Sequence, residues 1–233
     1  MKVEAVIVAA GKGERFGDLR LKQFCLLGGR LLLSWTIERF EECKSIDSVI
    51  LVVPPKMSKY VKETVISSSG YKKVKAIVEG GKQRGDSVFE GLKQVDTTTD
   101  IVLIHDGVRP LIGSHLIKRL IEQVKEYKAA VLGIPLRETV KETEEANVVS
   151  KTLNRRKLYS IQTPQGFRRE LILKAYEEAK KEGRWASDDA ALVERLGEKV
   201  KIIPGEETNI KITTSLDLKF AEMLLGGMNQ SRP

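Results

Sequence analysis

Short aliphatic runs recur along the chain at residues 3–9, 48–53, 73–78, 101–105, 129–134 and 199–203, and amphipathic stretches separate them. This alternation constrains the fold more than any other feature. β-Branched runs of this length favour strands, and most of these are apolar throughout instead of alternating. Both of their faces therefore need covering, as in a parallel sheet flanked by helices. Helices are expected over residues 32–42, 56–68, 86–95, 114–128, 169–181, 187–196 and 215–225. In the 114–128 segment Leu116, Ile117, Leu120, Ile121 and Val124 recur at the i, i+3, i+4 spacing of one buried face, and Ser114 is placed to cap it. The pattern predicts an α/β fold with a mostly parallel, doubly wound sheet.

Length and charge narrow the function classes. At 233 residues, 41% hydrophobic and 31% charged, the chain suits a folded core of one domain or two small ones, and a disordered or collagenous class is excluded. No linker or composition shift divides it, so one domain over 1–233 is expected, with a frayed tail over 226–233. No run approaches the roughly 18 apolar residues of a membrane span. Glu4 interrupts the apolar N-terminal run, which reads as a buried strand, not a signal peptide, and a cytoplasmic location is expected. Cys25 and Cys43 lie 18 positions apart, outside any redox-pair or zinc spacing, and reduced thiols are expected. The 40 basic and 32 acidic residues leave a net charge of +8. The basic residues are scattered among acids, which favours a solvated surface and small anionic substrates over nucleic acid.

One region breaks the rhythm. From Arg137 to Leu158 charges and threonines alternate around Glu144-Glu145-Ala146-Asn147 with no helical stripe. Two ribbon strands joined by a turn are expected there. An isolated hairpin is marginal in water, so a second copy of the chain is a natural support.

Four segments can carry chemistry. The first, Ala9-Ala10-Gly11-Lys12-Gly13-Glu14-Arg15-Phe16-Gly17, follows the first strand, with Lys22-Gln23-Phe24 beyond it. Glycines at a strand's carboxyl end let backbone N–H groups approach phosphate oxygens. It is neither a dinucleotide fingerprint, because Phe16 replaces the third glycine, nor a P-loop. Lys12, Arg15 and Lys22 around the glycines suit a triphosphate. The second, residues 80–88 (G-G-K-Q-R-G-D-S-V), is a turn opening a helix that Asp86 or Ser87 would cap. The third, residues 105–110 (H-D-G-V-R-P), ends a buried strand where ligands of open α/β sheets collect. Asp106 there can hold Mg²⁺ directly or through water, while His105 reads as a packed core residue. The fourth is Asn209-Ile210-Lys211-Ile212-Thr213-Thr214, in which Lys211 faces away from its apolar neighbours.

Together with R-E-T-V-K at 137–141, T-P-Q at 163–165 and D-D-A at 188–190, these segments resemble, in order, the 2-C-methyl-D-erythritol 4-phosphate cytidylyltransferases. The resemblance implies a single Rossmann-like α/β domain with a protruding β-arm over 137–158. It further implies a homodimer in which each arm completes the partner's site. The implied reaction joins CTP and methylerythritol 4-phosphate, releasing pyrophosphate, with Mg²⁺ travelling with the triphosphate. By family position Arg15 and Lys22 would stabilise the α-phosphate transition state, and Lys211 with the partner's Arg155 would hold the incoming phosphate. Thr139 and Thr163 would add hydroxyl contacts, and Asp106 and Arg109 would bind the polyol or orient neighbours. Ala9, Gly11, Gly81, Arg84 and Ser87 would line the cytosine and ribose pocket.

The chain departs from the family pattern at Leu21, where proline is usual, at Phe16, where methionine is usual, and at Gly107-Val108. No cation is lost. Ribitol 5-phosphate cytidylyltransferases share the first loop and the K-Q-F variant and are the enzymatic alternative. A nucleotide-binding module without turnover is the non-enzymatic one.

Overall fold

A computed structural model describes residues 1–11 and 21–230. In chain order the elements are β1 (Val3–Val8), β2 (Leu26–Leu27), β3 (Arg30–Leu31), α1 (Leu32–Glu41), β4 (Ser48–Val53), α2 (Ser58–Val61), β5 (Val74–Glu79), α3 (Arg84–Leu92) and β6 (Ile101–Asp106). There follow α4 (Ser114–Tyr127), β7 (Ala129–Pro135), β8 (Lys141–Thr143), β9 (Val149–Thr152), β10 (Tyr159–Arg168), α5 (Arg169–Lys181), α6 (Asp189–Arg195), β11 (Lys201–Pro204) and α7 (Ser215–Gln230).

Among the described residues seven strands form one sheet in the order β11-β7-β10-β6-β1-β4-β5. All run parallel except β10, which is antiparallel to both of its neighbours. Alternate residues of each apolar run enter two cores, as the expected covering of both faces requires. On one side Ala5, Ile7, Leu51 and Leu103 meet Leu33, Ile37 and Phe40 of α1 and Leu116, Leu120 and Val124 of α4. On the other, Val6, Ile50, Val102 and Ile104 meet Val88 and Leu92 of α3 and Ile172, Ala175 and Tyr176 of α5. Each such Val, Leu, Ile or Phe side chain contributes about 1.5–3 kcal/mol when fully withdrawn from water.

The strand order positions the site. From β1 the chain builds outward through β4 and β5, then returns to lay β6 on the other flank of β1. The crevice between β1 and β6 is thus the point where the winding reverses, the usual ligand position in such sheets. Register pairs Val8 with Asp106 there, so the first loop and the third motif emerge side by side.

Several expectations need correction. Strand β10 escaped the sequence pattern because Gln162, Thr163, Pro164 and Gln165 interrupt any apolar run, yet it lies near the middle of the sheet. Its pairing with β7 shifts register between Gln162 and Gln165, and Pro164, which lacks a donor, falls in that interruption. The hairpin of β2 and β3 was also missed, although Gly28 and Gly29, at φ +57° and +78°, form the turn such a hairpin favours. Gly113, not Ser114, is the N-cap of α4. Helix α3 starts at Arg84, capped by Gln83, and the Asp86 carboxylate accepts the Gln83 N–H from inside the first turn at 2.9 Å. The 56–68 segment is a short α2 followed by a π-helical stretch, Lys62–Ser67. Residues 226–230, expected to fray, continue α7.

In the polar region β8 pairs antiparallel with β9 as a separate two-stranded sheet. Ala146 and Asn147 turn the chain at φ +59° and +60°, and all of residues 141–150 are exposed.

Candidate active site

At the carboxyl edge of β1 and β6 opens a cleft of about 820 Å³, well within the size range of small-molecule sites. The sequence-predicted residues Ala9, Gly11, Lys22, Gly81, Arg84, Ser87, Asp106 and Lys211 all line it. Val8, Gln23, Pro54, Pro55 and Gly80 complete much of its wall. Four separate segments of the sequence therefore converge on one concavity. Arg15, with Lys12, lies outside the described residues.

The glycines make two different contributions. A Cβ on Gly80 would stand 2.3 Å from the Ala10 Cβ and 2.6 Å from the Ser87 Oγ, so the second loop can approach the first only without a side chain. At Gly11 a Cβ would meet nothing within 4 Å among the described residues, so none of these demands glycine there. Gln23, buried next to Lys22, donates its carboxamide N–H groups to the carbonyls of Ala9 (2.7 Å) and Gly11 (3.2 Å) and so ties the first loop to the K-Q-F turn.

Asp106 is the electrostatic centre. Arg84 Nε stands 3.3 Å from its Oδ1, Lys211 Nζ 2.7 Å from its Oδ2, and Arg109 Nε 3.8 Å from Oδ2. Burial pushes the carboxyl up, but the charges of Arg84, Lys211 and Arg109 outweigh it and hold Asp106 well below the usual carboxylate range. Three cations on one carboxylate leave this wall of the cleft with surplus positive charge, the condition for taking an anion.

Supporting residues fix each member. The main-chain N–H of Asp106 donates to Thr163 Oγ1 at 3.0 Å, and that hydroxyl lies 3.1 Å from His105 Nδ1. His105 Nε2 faces the Arg109 carbonyl at 3.1 Å; a carbonyl only accepts, so Nε2 carries the proton and Nδ1 accepts from Thr163. Full burial lowers His105 to about 4, and it is the neutral core residue expected. Lys211 sits on an extended segment pinned by Ile212 N–H to the Val108 carbonyl (2.9 Å) and by buried Asn209, which donates to the Thr163 carbonyl at 2.9 Å. Arg109 donates to the Asn209 carbonyl at 2.7 Å.

Thr163 and Arg109 are therefore placed behind Asp106, among these supports, and are not part of the cleft lining. Thr139 and Arg155 lie on the hairpin region, both exposed and neither among the residues lining the cleft of their own chain, and Arg155 donates to the Arg137 carbonyl at 2.6 Å.

Sequence reasoning gave Asp189, Tyr176, Gln23 and Asn209 no role. Asp189, fully buried at the start of α6, receives both terminal nitrogens of Arg84 at 2.7 and 2.9 Å and the Tyr176 hydroxyl at 2.6 Å. Burial opposes the Arg84 charge, yet Asp189 and Asp106 raise its pKa above the ordinary arginine value. Adjacent acids at a helix start, Asp188-Asp189, were the available signal: Asp188 caps α6 and its neighbour is left to pair.

The family model for IspD, 2-C-methyl-D-erythritol 4-phosphate cytidylyltransferase, matches residues 3–227. A 2-C-methyl-D-erythritol 4-phosphate cytidylyltransferase of Caldanaerobacter subterraneus is 42% identical, covering 97% of this chain and 99% of that protein. Another, of Alkaliphilus oremlandii, is 43% identical over 99% of this chain and 98% of its own. The crystal structure of a 4-diphosphocytidyl-2C-methyl-D-erythritol synthase from Anaerococcus prevotii superposes with a TM-score of 0.84 at 35% identity, covering 97% of this chain and 96% of that one. The chain belongs to the 2-C-methyl-D-erythritol 4-phosphate cytidylyltransferase family.

Proposed function

We propose that this chain transfers the cytidylyl group of CTP to 2-C-methyl-D-erythritol 4-phosphate, forming 4-diphosphocytidyl-2-C-methyl-D-erythritol and pyrophosphate in the cytoplasm. The observation that carries this reading is the convergence of Lys22, Arg84, Lys211 and Asp106 with the glycines of two loops on one cleft, in a chain whose relatives bear that enzyme's name. A phosphate dianion is already nucleophilic and needs no general base. Catalysis then reduces to in-line positioning and charge neutralisation, work that fixed cations do.

Arg15 and Lys22 neutralise the crowded α-phosphate as the substrate oxygen attacks and pyrophosphate departs. Lys211 holds the incoming phosphate, joined by Arg155 of the partner's arm. Ala9, Gly11, Gly81, Arg84 and Ser87 line the nucleoside pocket, Thr139 adds a hydroxyl contact, and Asp106 orients the polyol, held from behind by Thr163 and Arg109. Arg155 lies outside its own cleft, and the hairpin beside it exposes Val148 and Val149 at 62% and 52%; both facts favour contact with a second copy through residues 137–158.

Among the described residues no group of three or more His, Cys, Asp or Glu side chains could hold a metal ion. Asp106 is the one acid on the described cleft wall, and both of its oxygens already face cations, so Mg²⁺ would be carried largely by the triphosphate oxygens. Bound there, the ion would neutralise charge on the triphosphate.

The test is pyrophosphate release, with the product identified by mass, on mixing the protein with CTP, Mg²⁺ and either 2-C-methyl-D-erythritol 4-phosphate or ribitol 5-phosphate. Turnover with the first is expected. Turnover with ribitol 5-phosphate alone would overturn the substrate assignment, and silence with both would leave a nucleotide-binding module.

A further inference from the structure

The cleft wall is continuous with a buried chain of charges that reaches through the helix layer. Arg84 is its middle link: both terminal nitrogens grip Asp189, and Nε reaches Asp106. The side chain is still 31% exposed, so it presents one edge to the cleft while two carboxylates hold the others. Beyond Asp189 the Tyr176 hydroxyl closes the chain from inside the core, where its ring is 1% exposed. At the other end Asp106 meets Lys211. A guanidinium gripped at both terminal nitrogens has one orientation, whereas one held at Nε alone can rotate. The angle at which Asp106 meets Lys211 therefore depends on a carboxylate that does not line the cleft.

We propose that Asp189, backed by Tyr176, is a positioning residue for this reaction, acting through Arg84 to set Asp106 and, with it, the phosphate-binding Lys211. The proposal rests on the functional reading above. It extends the set of residues the reaction needs to a side chain that never touches substrate.

The test compares Asp189→Asn, Tyr176→Phe and Arg84→Lys, singly and combined, in initial-rate kinetics for both substrates with active protein titrated. Asparagine keeps the shape of Asp189 but turns an amide donor toward Arg84. A loss in kcat/KM for the polyol phosphate of about 10- to 100-fold is expected, the range typical of residues that orient a functional group without being one. A several-fold rise in KM for that substrate accompanies it. A purely structural role would lower the active fraction and leave both KM values alone. Lysine at 84 cannot bridge two carboxylates, so in that background Asp189→Asn should change kcat/KM by less than about 3-fold.

If Asp189→Asn fails to fold, Tyr176→Phe decides: a smaller loss with the same KM rise, silent in Arg84→Lys, supports the proposal. Active wild-type protein with unaltered KM values in folded variants would overturn it, as would losses that multiply with Arg84→Lys. Inactive wild-type protein would instead sink the functional reading on which it depends.

Discussion

Replacing Lys211 with methionine separates the cost to catalysis from the cost to stability. Methionine keeps most of the apolar stem and removes the ammonium that stands 2.7 Å from Asp106 Oδ2. Asp106 keeps Arg84 at 3.3 Å and Arg109 at 3.8 Å, so its negative charge stays compensated. The Lys211 side chain is 36% exposed, and a pair this open contributes about 1 kcal/mol or less. In a chain of this size that lowers the unfolding midpoint by about 2–4 °C. On the proposed mechanism the same ammonium faces, in the transition state, a phosphomonoester becoming part of a diphosphate in a partly desolvated cleft, where one such group contributes about 2–4 kcal/mol. The expected result is a fall in kcat/KM of roughly 30- to 1000-fold, with KM for the polyol phosphate raised and that for CTP within about 3-fold. Steady-state kinetics and a thermal melt on one preparation supply both numbers. A kcat/KM within 3-fold of wild type would refute the role, and so would an activity loss matched by a collapse of the melting temperature.

Other outcomes follow from the same geometry. Lys22→Ala is expected to lose about 2–4 kcal/mol of barrier lowering while CTP affinity, measured by titration, changes little; an unchanged kcat would contradict its assignment. Mixing Lys22→Ala with Arg155→Ala subunits should restore part of the activity through hybrid sites that hold both residues, and no recovery after verified exchange would place Arg155 in its own subunit's chemistry or outside it. For His105, lowered by burial to about 4, the unfolded chain takes up a proton near pH 6.5 that the folded state refuses. Its contribution is therefore complete above about pH 6.5 and is lost as pH falls toward 4, about 3 kcal/mol in all. Urea unfolding of wild type and His105→Gln at pH 7 and pH 4 should show the smaller pH dependence in the variant, and equal slopes would refute the assignment. Gly11→Ala should leave stability nearly unchanged, because its Cβ meets nothing among the described residues, and weaken CTP binding; unaltered affinity would remove the ligand from that loop.

Much of the frame was legible because burial on both faces writes itself into composition. The runs at 48–53 and 101–105 correspond to β4 (Ser48–Val53) and β6 (Ile101–Asp106) nearly residue for residue, since a strand covered on both sides is apolar along most of its length. Strand β10 was illegible for the opposite reason. Its polar residues are buried but satisfied by partners far along the chain, as when Gln165 donates to Asp188 Oδ2 and accepts from the Ala190 N–H. No local pattern records such a bond.

The cleft divides the same way. Glycines, Lys22, Arg84, Asp106 and Lys211 were readable as types, because strand ends rich in glycine and cations suit phosphates whatever the neighbours are. Asp189 stands in the D-D-A segment, yet its part and that of Tyr176 were not readable, because they depend on a guanidinium 105 positions away from Asp189. The sequence by itself determined the alternation of strands and helices and the presence of cation-bearing loops, both consequences of local spacing. Only the tertiary structure decided that β6 returns beside β1, that Thr163 and Arg109 stand behind Asp106, and that three cations share one carboxylate. Those outcomes depend on distances through space between segments far apart in the chain, and such distances exist only once the sheet has closed.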